Sequence, residues 1–128
     1  MGSISSPPGT DSLILVIDDD ATIRLFLSLA LEEEGFRVVT AADGQEGLER
    51  VAHEMPALVV LDVAMPILDG HGFAARFRAT GGASVPLIVV SAGGQIADGG
   101  GPIEAYATLS KPFELDELIR TVERATQP

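Results

Sequence analysis

Hydrophobic residues along the chain form short apolar runs that alternate with segments of helical spacing. Three runs are continuously apolar, which is typical of strands buried on both faces of a parallel sheet; they are 13–17, 57–61 and 86–90. Two weaker runs, 36–40 and 106–110, bring the number of predicted strands to five. Each strand is followed by enough residues for a helix and a turn.

Helical periodicity and capping residues predict the helices between these strands. The first helix is capped by Asp20 and stopped by Gly35, and the second is opened by Asp43 and must end before Pro56. The apolar residues predicted to line the inner faces of the first, second, third and last helices are Ile23, Phe26, Leu27, Ala30 and Leu31; Leu48 and Val51; Phe73, Ala74 and Phe77; and Leu115, Leu118, Ile119 and Val122.

The segment between the fourth and fifth strands is a poor helix former. It contains five glycines and a proline, namely Gly93, Gly94, Gly99, Gly100, Gly101 and Pro102. Glycine and proline both oppose helix formation. We therefore predict that a helix at this place is weak or irregular.

Alternating strands and helices predict one α/β domain with a parallel sheet and right-handed crossovers. The expected architecture is a doubly wound (βα)5 sandwich with helices on both faces. Its length of 128 residues suits a single core. We expect residues 1–11 to form a flexible leader and residues 12–126 to form the domain, with no effector domain in this chain.

Polar residues whose side chains can bind a ligand or react follow four of the predicted strands. Ligands of such sheets bind at the carboxyl ends of the strands, and here these ends carry Asp18, Asp19, Asp62, Ser91 and Lys111. Clustered carboxylates repel one another unless a cation lies among them, and oxygen ligands favour a hard ion such as Mg²⁺. A lysine and a hydroxyl beside that ion would suit a phosphoryl group, and a carboxylate can itself be phosphorylated.

The overall charge excludes several classes of partner. The sequence has 19 acidic and 8 basic residues, a net charge of −11, and Lys111 is its sole lysine. A surface of this sign repels nucleic acid and anionic membranes. Cysteine is absent, and no stretch has the features of a signal peptide or of a membrane span. These features predict a cytoplasmic protein.

Four motifs, each of which closes a strand, carry a resemblance to a known family. They are the run ending in Asp18-Asp19-Asp20, the segment Leu61-Asp62-Val63-Ala64-Met65-Pro66-Ile67-Leu68-Asp69-Gly70, the pair Ser91-Ala92, and Lys111-Pro112-Phe113. In this order they resemble the receiver domain of two-component response regulators, the CheY-like family, over residues 13–124. The resemblance implies a flavodoxin-like fold with strand order 2-1-3-4-5.

The resemblance also implies roles for individual residues. Asp62 would be the phosphoacceptor, and Mg²⁺, or Mn²⁺ in its place, would be held by Asp18, Asp19, Asp62 and the backbone carbonyl of Ala64. Ser91 and Lys111 would bind the phosphoryl oxygens, and the Lys111–Pro112 bond would be cis. The donor would be a phosphohistidine on a sensor histidine kinase or histidine phosphotransfer protein. The chain would then be a signalling module that assists its own phosphorylation and autodephosphorylation, and not an enzyme for another substrate.

The chain departs from the family where members usually carry an aromatic switch residue. That position is Thr108, while Tyr106 lies two residues earlier and, in a strand, on the same face. We therefore expect phosphorylation to be accompanied by a muted or unconventional switch, with Tyr106 as the substitute switch residue.

Two leucines of the first helix suggest a partner surface. With Ile23 at the centre of the buried face, Leu25 and Leu29 rotate far toward solvent at 100° per residue. An exposed apolar patch beside acidic loops would suit docking on a helical bundle. Two scattered surface leucines are the plain alternative.

Two other functional classes remain open from the sequence. A degenerate receiver would only bind partner proteins. A Mg²⁺-dependent phosphohydrolase would also use Asp62 as the nucleophile, but it would need an acid/base carboxylate two residues later, where this chain has Ala64.

Overall fold

The computed structural model describes residues 12–63, 70–91 and 105–127. In these ranges the elements are β1 (Leu13–Ile17), α1 (Ala21–Glu33), β2 (Arg37–Ala41), α2 (Gly44–His53), β3 (Leu58–Asp62), α3 (Gly70–Ala79), β4 (Leu87–Ser91), β5 (Ala107–Ser110) and α4 (Leu115–Thr126). Every predicted strand is present, with its ends within about one residue of the expected position, the usual uncertainty of such boundaries.

The five strands form one parallel sheet in the order β2-β1-β3-β4-β5, as expected. Ile17 at the end of β1 is in register with Leu61 of β3, and Ser91 at the end of β4 is in register with Ser110 of β5. The carboxyl ends of β1, β3, β4 and β5 therefore lie at one edge of the sheet. The side chains that follow them are brought to the same place.

Two layers of helix cover the sheet and bury its alternating residues on opposite faces. Ile14 and Val16 of β1 pack with α1 and α4, while Leu15 and Ile17 pack with α2 and α3. The fully buried side chains with the largest volumes include Phe73 and Phe77, whose rings are stacked with centroids 5.2 Å apart. Burial on both faces explains why the central strands are continuously apolar in sequence.

Capping residues begin the first two helices as predicted. The Asp20 side chain accepts hydrogen bonds from the backbone N–H groups of Thr22 and Ile23, at 2.9 and 3.3 Å. Asp43 accepts one from the N–H of Glu46 at 2.9 Å. After α1 the chain turns at Gly35, whose φ of 98° is in the left-handed region that glycine tolerates best.

The prediction that Phe26 faces the core is wrong. Its side chain is 58% exposed, whereas Leu27 and Leu31 of the same helix are buried. At 100° per residue, Phe26 lies about 100° and 140° around the helix from these two leucines, outside the buried stripe. The 3.6-residue pattern alone places Phe26 at the border of the buried face of α1, and packing of the helix leaves its side chain exposed.

Some expectations fall outside the described residues. These are the leader at 1–11, the irregular helix predicted after Ser91, and the backbone of Ala64. Within the described ranges, no helix has the length and apolar character needed to cross a membrane.

Candidate functional site

The carboxyl edge of the sheet collects the polar residues singled out in the sequence. Asp18 directly follows β1, Asp62 and Ser91 are the last residues of β3 and β4, and Lys111 directly follows β5. Asp18 and Asp62 are each only 4% exposed, and Ser91 is 1% exposed. Burying a polar side chain costs free energy unless it has a hydrogen-bond partner or an opposite charge nearby. The convergence of these buried polar side chains therefore marks this edge as the candidate site.

Three carboxylates form the centre of this site. One carboxylate oxygen from each of Asp18, Asp19 and Asp62 lies within 4.8 Å of the others. Asp18 and Asp62 are buried, whereas Asp19 is exposed and so faces the open side of the cluster. This set of oxygen donors fits a hard divalent cation such as Mg²⁺, which usually keeps several water ligands. The carbonyl of Ala64 lies outside the described residues.

Lys111 supplies positive charge to the two buried carboxylates. Its Nζ lies 3.4 Å from Asp18 Oδ2 and 3.4 Å from Asp62 Oδ2. Partial burial lowers the pKa of Lys111, but the charges of Asp18 and Asp62 outweigh burial and raise it overall. The lysine is therefore held in its charged form. The backbone N–H of Lys111 also donates to the carbonyl of Ser91 at 2.7 Å, and the Lys111–Pro112 bond is cis.

The surroundings of Asp18 disfavour the ionised form of its carboxyl group. Burial raises its pKa, and the nearby charge of Asp62 raises it further. The N–H of Asp20, which donates to Asp18 Oδ1 at 2.9 Å, and the ammonium group of Lys111 act in the opposite direction without cancelling the rise. One lysine thus leaves the carboxylates undercompensated, and a divalent cation would remove this deficit.

Ser91 brings an unused hydroxyl to the same edge. Its Oγ is buried and has no hydrogen-bond partner among the residues that the structure describes. A buried hydroxyl without a partner costs free energy. A phosphoryl oxygen at the carboxyl edge would be a suitable acceptor for it.

The two candidate switch residues lie on β5 and just before it. Thr108 is exposed and so is Ser110, while Leu109 between them is buried. Tyr106 is 50% exposed and its N–H donates to the carbonyl of Leu87 at 2.8 Å. Both candidates therefore present side chains to solvent, as the period of two along a strand requires.

The exposed face of α1 carries a larger apolar patch than the sequence indicated. Leu25 is 61% exposed, and Phe26 and Leu29 are each 58% exposed. We call Leu25, Phe26 and Leu29 the α1 patch. Sequence reasoning found the two leucines and missed the phenylalanine, which a stricter helical wheel centred on Leu27 would have placed outside the core.

The chain is similar to known proteins in sequence and in structure. A family model described as the response regulator receiver domain matches residues 14–123. Response regulator MprA of Mycobacterium leprae is 40% identical over 120 residues, which are 90% of this chain and 52% of MprA. The chain spans about half the length of the curated relatives it matches.

Two solved structures show the same similarity in three dimensions. The chemotaxis response regulator CheY4 of Vibrio cholerae superposes with a TM-score of 0.81 and 27% identity, over 90% of this chain and 98% of CheY4. The receiver domain of NtrX from Brucella abortus superposes with a TM-score of 0.79 and 32% identity, over 88% of this chain and 97% of that domain.

Proposed function

The chain belongs to the response regulator receiver domain family, the signalling modules of two-component systems, and we propose that it accepts a phosphoryl group on Asp62 from a phosphohistidine. The donor would be a sensor histidine kinase or a histidine phosphotransfer protein, and the output would pass through protein contacts. The absence of cysteine suits the cytoplasm, where we place this reaction.

The main support for the proposal is that the buried carboxylate of Asp62 lies beside the positively charged side chain of Lys111. Asp62 is 4% exposed, and its Oδ2 lies 3.4 Å from Lys111 Nζ. In the transfer, a carboxylate oxygen of Asp62 forms a bond to phosphorus while the P–N bond of the donor breaks, and the electron pair returns to the imidazole nitrogen. Lys111 then pairs with a phosphoryl oxygen in place of one carboxylate oxygen.

Asp18, Asp19 and Asp62 are the residues that would hold Mg²⁺, and the bound ion would neutralise charge on the phosphoryl oxygens. Asp18 is oriented for this role by the N–H of Asp20. Asp19 is exposed and so lies on the side from which a phosphodonor would approach. Ala64, two residues after Asp62, offers no acid/base carboxylate, which favours acceptance of the phosphoryl group over turnover of a separate ester.

Ser91 would detect the phosphoryl group. Its Oγ, which has no hydrogen-bond partner within the described ranges, would gain an acceptor when a phosphoryl oxygen arrives at the end of β3, and this new bond would pull on β4. Adjacent β5 carries the exposed Thr108, preceded by Tyr106, at the place where the signal would leave the domain.

Direct phosphorylation tests the proposal. We expect treatment with acetyl phosphate and Mg²⁺ to add one phosphoryl group by mass spectrometry, and we expect EDTA to prevent it. Asp62→Asn is the control for the site, because it preserves shape and removes the nucleophile. No added phosphate, or labelling undiminished in Asp62→Asn, would refute the proposal. Partner binding without labelling would indicate a degenerate receiver, and turnover of small phosphate esters a phosphohydrolase.

A further inference from the structure

Three consecutive acidic residues form the connection between β1 and α1. Asp18, Asp19 and Asp20 all carry carboxylates, and nothing in the sequence of this turn supplies a compensating charge. Like charges at this spacing repel one another. The turn must therefore be held by contacts from elsewhere if its carboxylates are to keep one geometry.

The first turn of α1 supplies such a contact through Arg24. Its Nη1 donates to the backbone carbonyl oxygen of Asp18 at 2.7 Å, and the residue is half-buried. The backbone N–H of Arg24 also donates to the carbonyl of Asp20 at 3.0 Å. The guanidinium thus reaches the turn without occupying any carboxylate oxygen, so these oxygens stay available to a ligand.

This hydrogen bond controls the peptide unit that leads to Asp19. The carbonyl of Asp18 and the N–H of Asp19 belong to one planar group, so fixing the carbonyl fixes the direction in which Asp19 leaves the strand. Among the described residues, the Asp19 carboxylate receives no hydrogen bond and forms no ion pair, whereas Asp18 is held by Asp20 and Lys111. Asp19 is therefore oriented through its backbone alone.

We propose that Arg24 is a positioning residue, which orients Asp19 for Mg²⁺ by holding the Asp18–Asp19 peptide and which offsets part of the repulsion in the acidic turn. It acts through the peptide and does not contact the ion. Groups that orient metal ligands typically change metal affinity by about 10-fold to 100-fold when removed.

Calorimetric titration of Mg²⁺ into the full chain and its variants tests this role. We expect Arg24→Ala to weaken Mg²⁺ binding by about tenfold. Arg24→Lys should recover most of the affinity, because its ammonium group can still donate to the Asp18 carbonyl. Arg76→Ala is the matched control: it removes the same charge from an exposed position in the last turn of α3, and it should change affinity by no more than about twofold because that charge is screened.

Four outcomes would overturn the inference. An equal loss of Mg²⁺ affinity in Arg24→Ala and Arg76→Ala would mean that only long-range charge is involved. An Arg24→Lys variant that binds Mg²⁺ as weakly as Arg24→Ala would refute the role of the hydrogen bond. If urea unfolding in EDTA shows that Arg24→Ala lowers stability while the folded protein binds Mg²⁺ normally, the arginine is merely structural. Failure of the unsubstituted chain to bind Mg²⁺ would also refute it.

The inference rests on the proposed function for the placement of Mg²⁺, but calorimetry needs no phosphoryl transfer. Binding of Mg²⁺ that depends on Arg24, with no phosphate on Asp62, would keep the inference and refute the proposed function. If Asp62 is phosphorylated but Mg²⁺ binding does not depend on Arg24, the inference is refuted and the proposed function is kept.

Discussion

Asp18 shows how a side chain that opposes folding can still lie at the centre of the candidate site. Its carboxyl group is 4% exposed, and burial together with the charge of Asp62 raises its pKa. A carboxyl whose pKa is higher in the folded than in the unfolded state destabilises the fold at pH values above its ordinary pKa, where the unfolded chain is ionised. Mg²⁺ binding would turn this unfavourable charge into a ligand.

Asp18→Asn should therefore stabilise the metal-free protein. The amide keeps an oxygen that can accept from the N–H of Asp20 and removes the charge. In EDTA at neutral pH, we expect thermal unfolding to shift upward by a few degrees, roughly the effect of about 1 kcal/mol in a domain of this size. The difference should shrink as the pH falls toward the ordinary pKa of 3.8, because protonation increasingly removes the charge of Asp18. A Tm equal to or below that of the unsubstituted chain in EDTA would contradict the prediction.

Ser91 should contribute little to stability before phosphorylation. Because its buried hydroxyl has no partner among the described residues, Ser91→Ala should leave the free energy of unfolding unchanged or raise it by up to about 1 kcal/mol in urea titrations. Beryllofluoride, a mimic of the phosphoryl group, should cause smaller chemical-shift changes of the amide groups around Lys111 in this variant than in the unsubstituted chain.

Ser110→Ala is the control for this prediction, since Ser110 is paired with Ser91 across β4 and β5 but is exposed. A large loss of stability in Ser91→Ala, or unchanged beryllofluoride shifts, would show that the hydroxyl has another role.

At the scale of the element, α1 carries both a contact to the acidic turn and an apolar surface. Asp20 caps its first turn and Arg24 reaches back to Asp18, while the α1 patch faces solvent on the side opposite to Leu27 and Leu31. A helix with apolar residues on two sides has one side available for a partner. We propose that a histidine phosphodonor would dock there, because α1 begins directly at the acidic turn.

Substitution of the α1 patch should separate docking from chemistry. We expect serine at Leu25, Phe26 and Leu29 together to slow phosphotransfer from the cognate histidine protein by about tenfold or more, as loss of apolar anchors does at interfaces. Labelling by acetyl phosphate should be unaffected, because the small donor needs no docking surface. Stopped reactions resolved by phosphate-affinity gels would measure both rates.

Met55→Ser is a matched control for the patch, because Met55 is 42% exposed and follows α2 on the other side of the sheet. Equal slowing with both donors would mean that the substitutions perturb the site itself, and equal slowing by Met55→Ser would refute a specific docking surface.

At the scale of the whole molecule, a net charge of −11 has two separate effects. Repulsion over the surface is long-ranged and is screened by any salt. Repulsion among Asp18, Asp19 and Asp62 acts within 4.8 Å; Lys111 offsets part of it, and an ion that binds between the carboxylates would relieve the rest. The two effects can be separated by comparing salts.

Mg²⁺ should stabilise the protein more than NaCl of equal ionic strength. At about ten times its dissociation constant, a ligand that binds only the folded state adds about 1.4 kcal/mol. Calorimetric melting in the two salts would measure this increment, and we expect it to disappear in Asp62→Asn while the effect of NaCl remains. Equal stabilisation by the two salts would count against a specific site.

The fold could be predicted because its signals are local. Apolar runs such as 57–61 reflect burial on both faces, and Asp20 and Asp43 mark helix starts through bonds that span only two or three residues. Parallel strands place their carboxyl ends at one edge, so the meeting of Asp18, Asp62, Ser91 and Lys111 could also be predicted from sequence.

Other features depend on packing between distant segments, and only the tertiary structure decided them. The 3.4 Å approach of Lys111 to Asp18 joins residues 93 positions apart. Whether Ser91 Oγ finds a partner among the described residues depends on every neighbour around it. Hydrophobic period and residue type determine which elements form and where they end, whereas distances, burial and pKa shifts arise only when those elements pack.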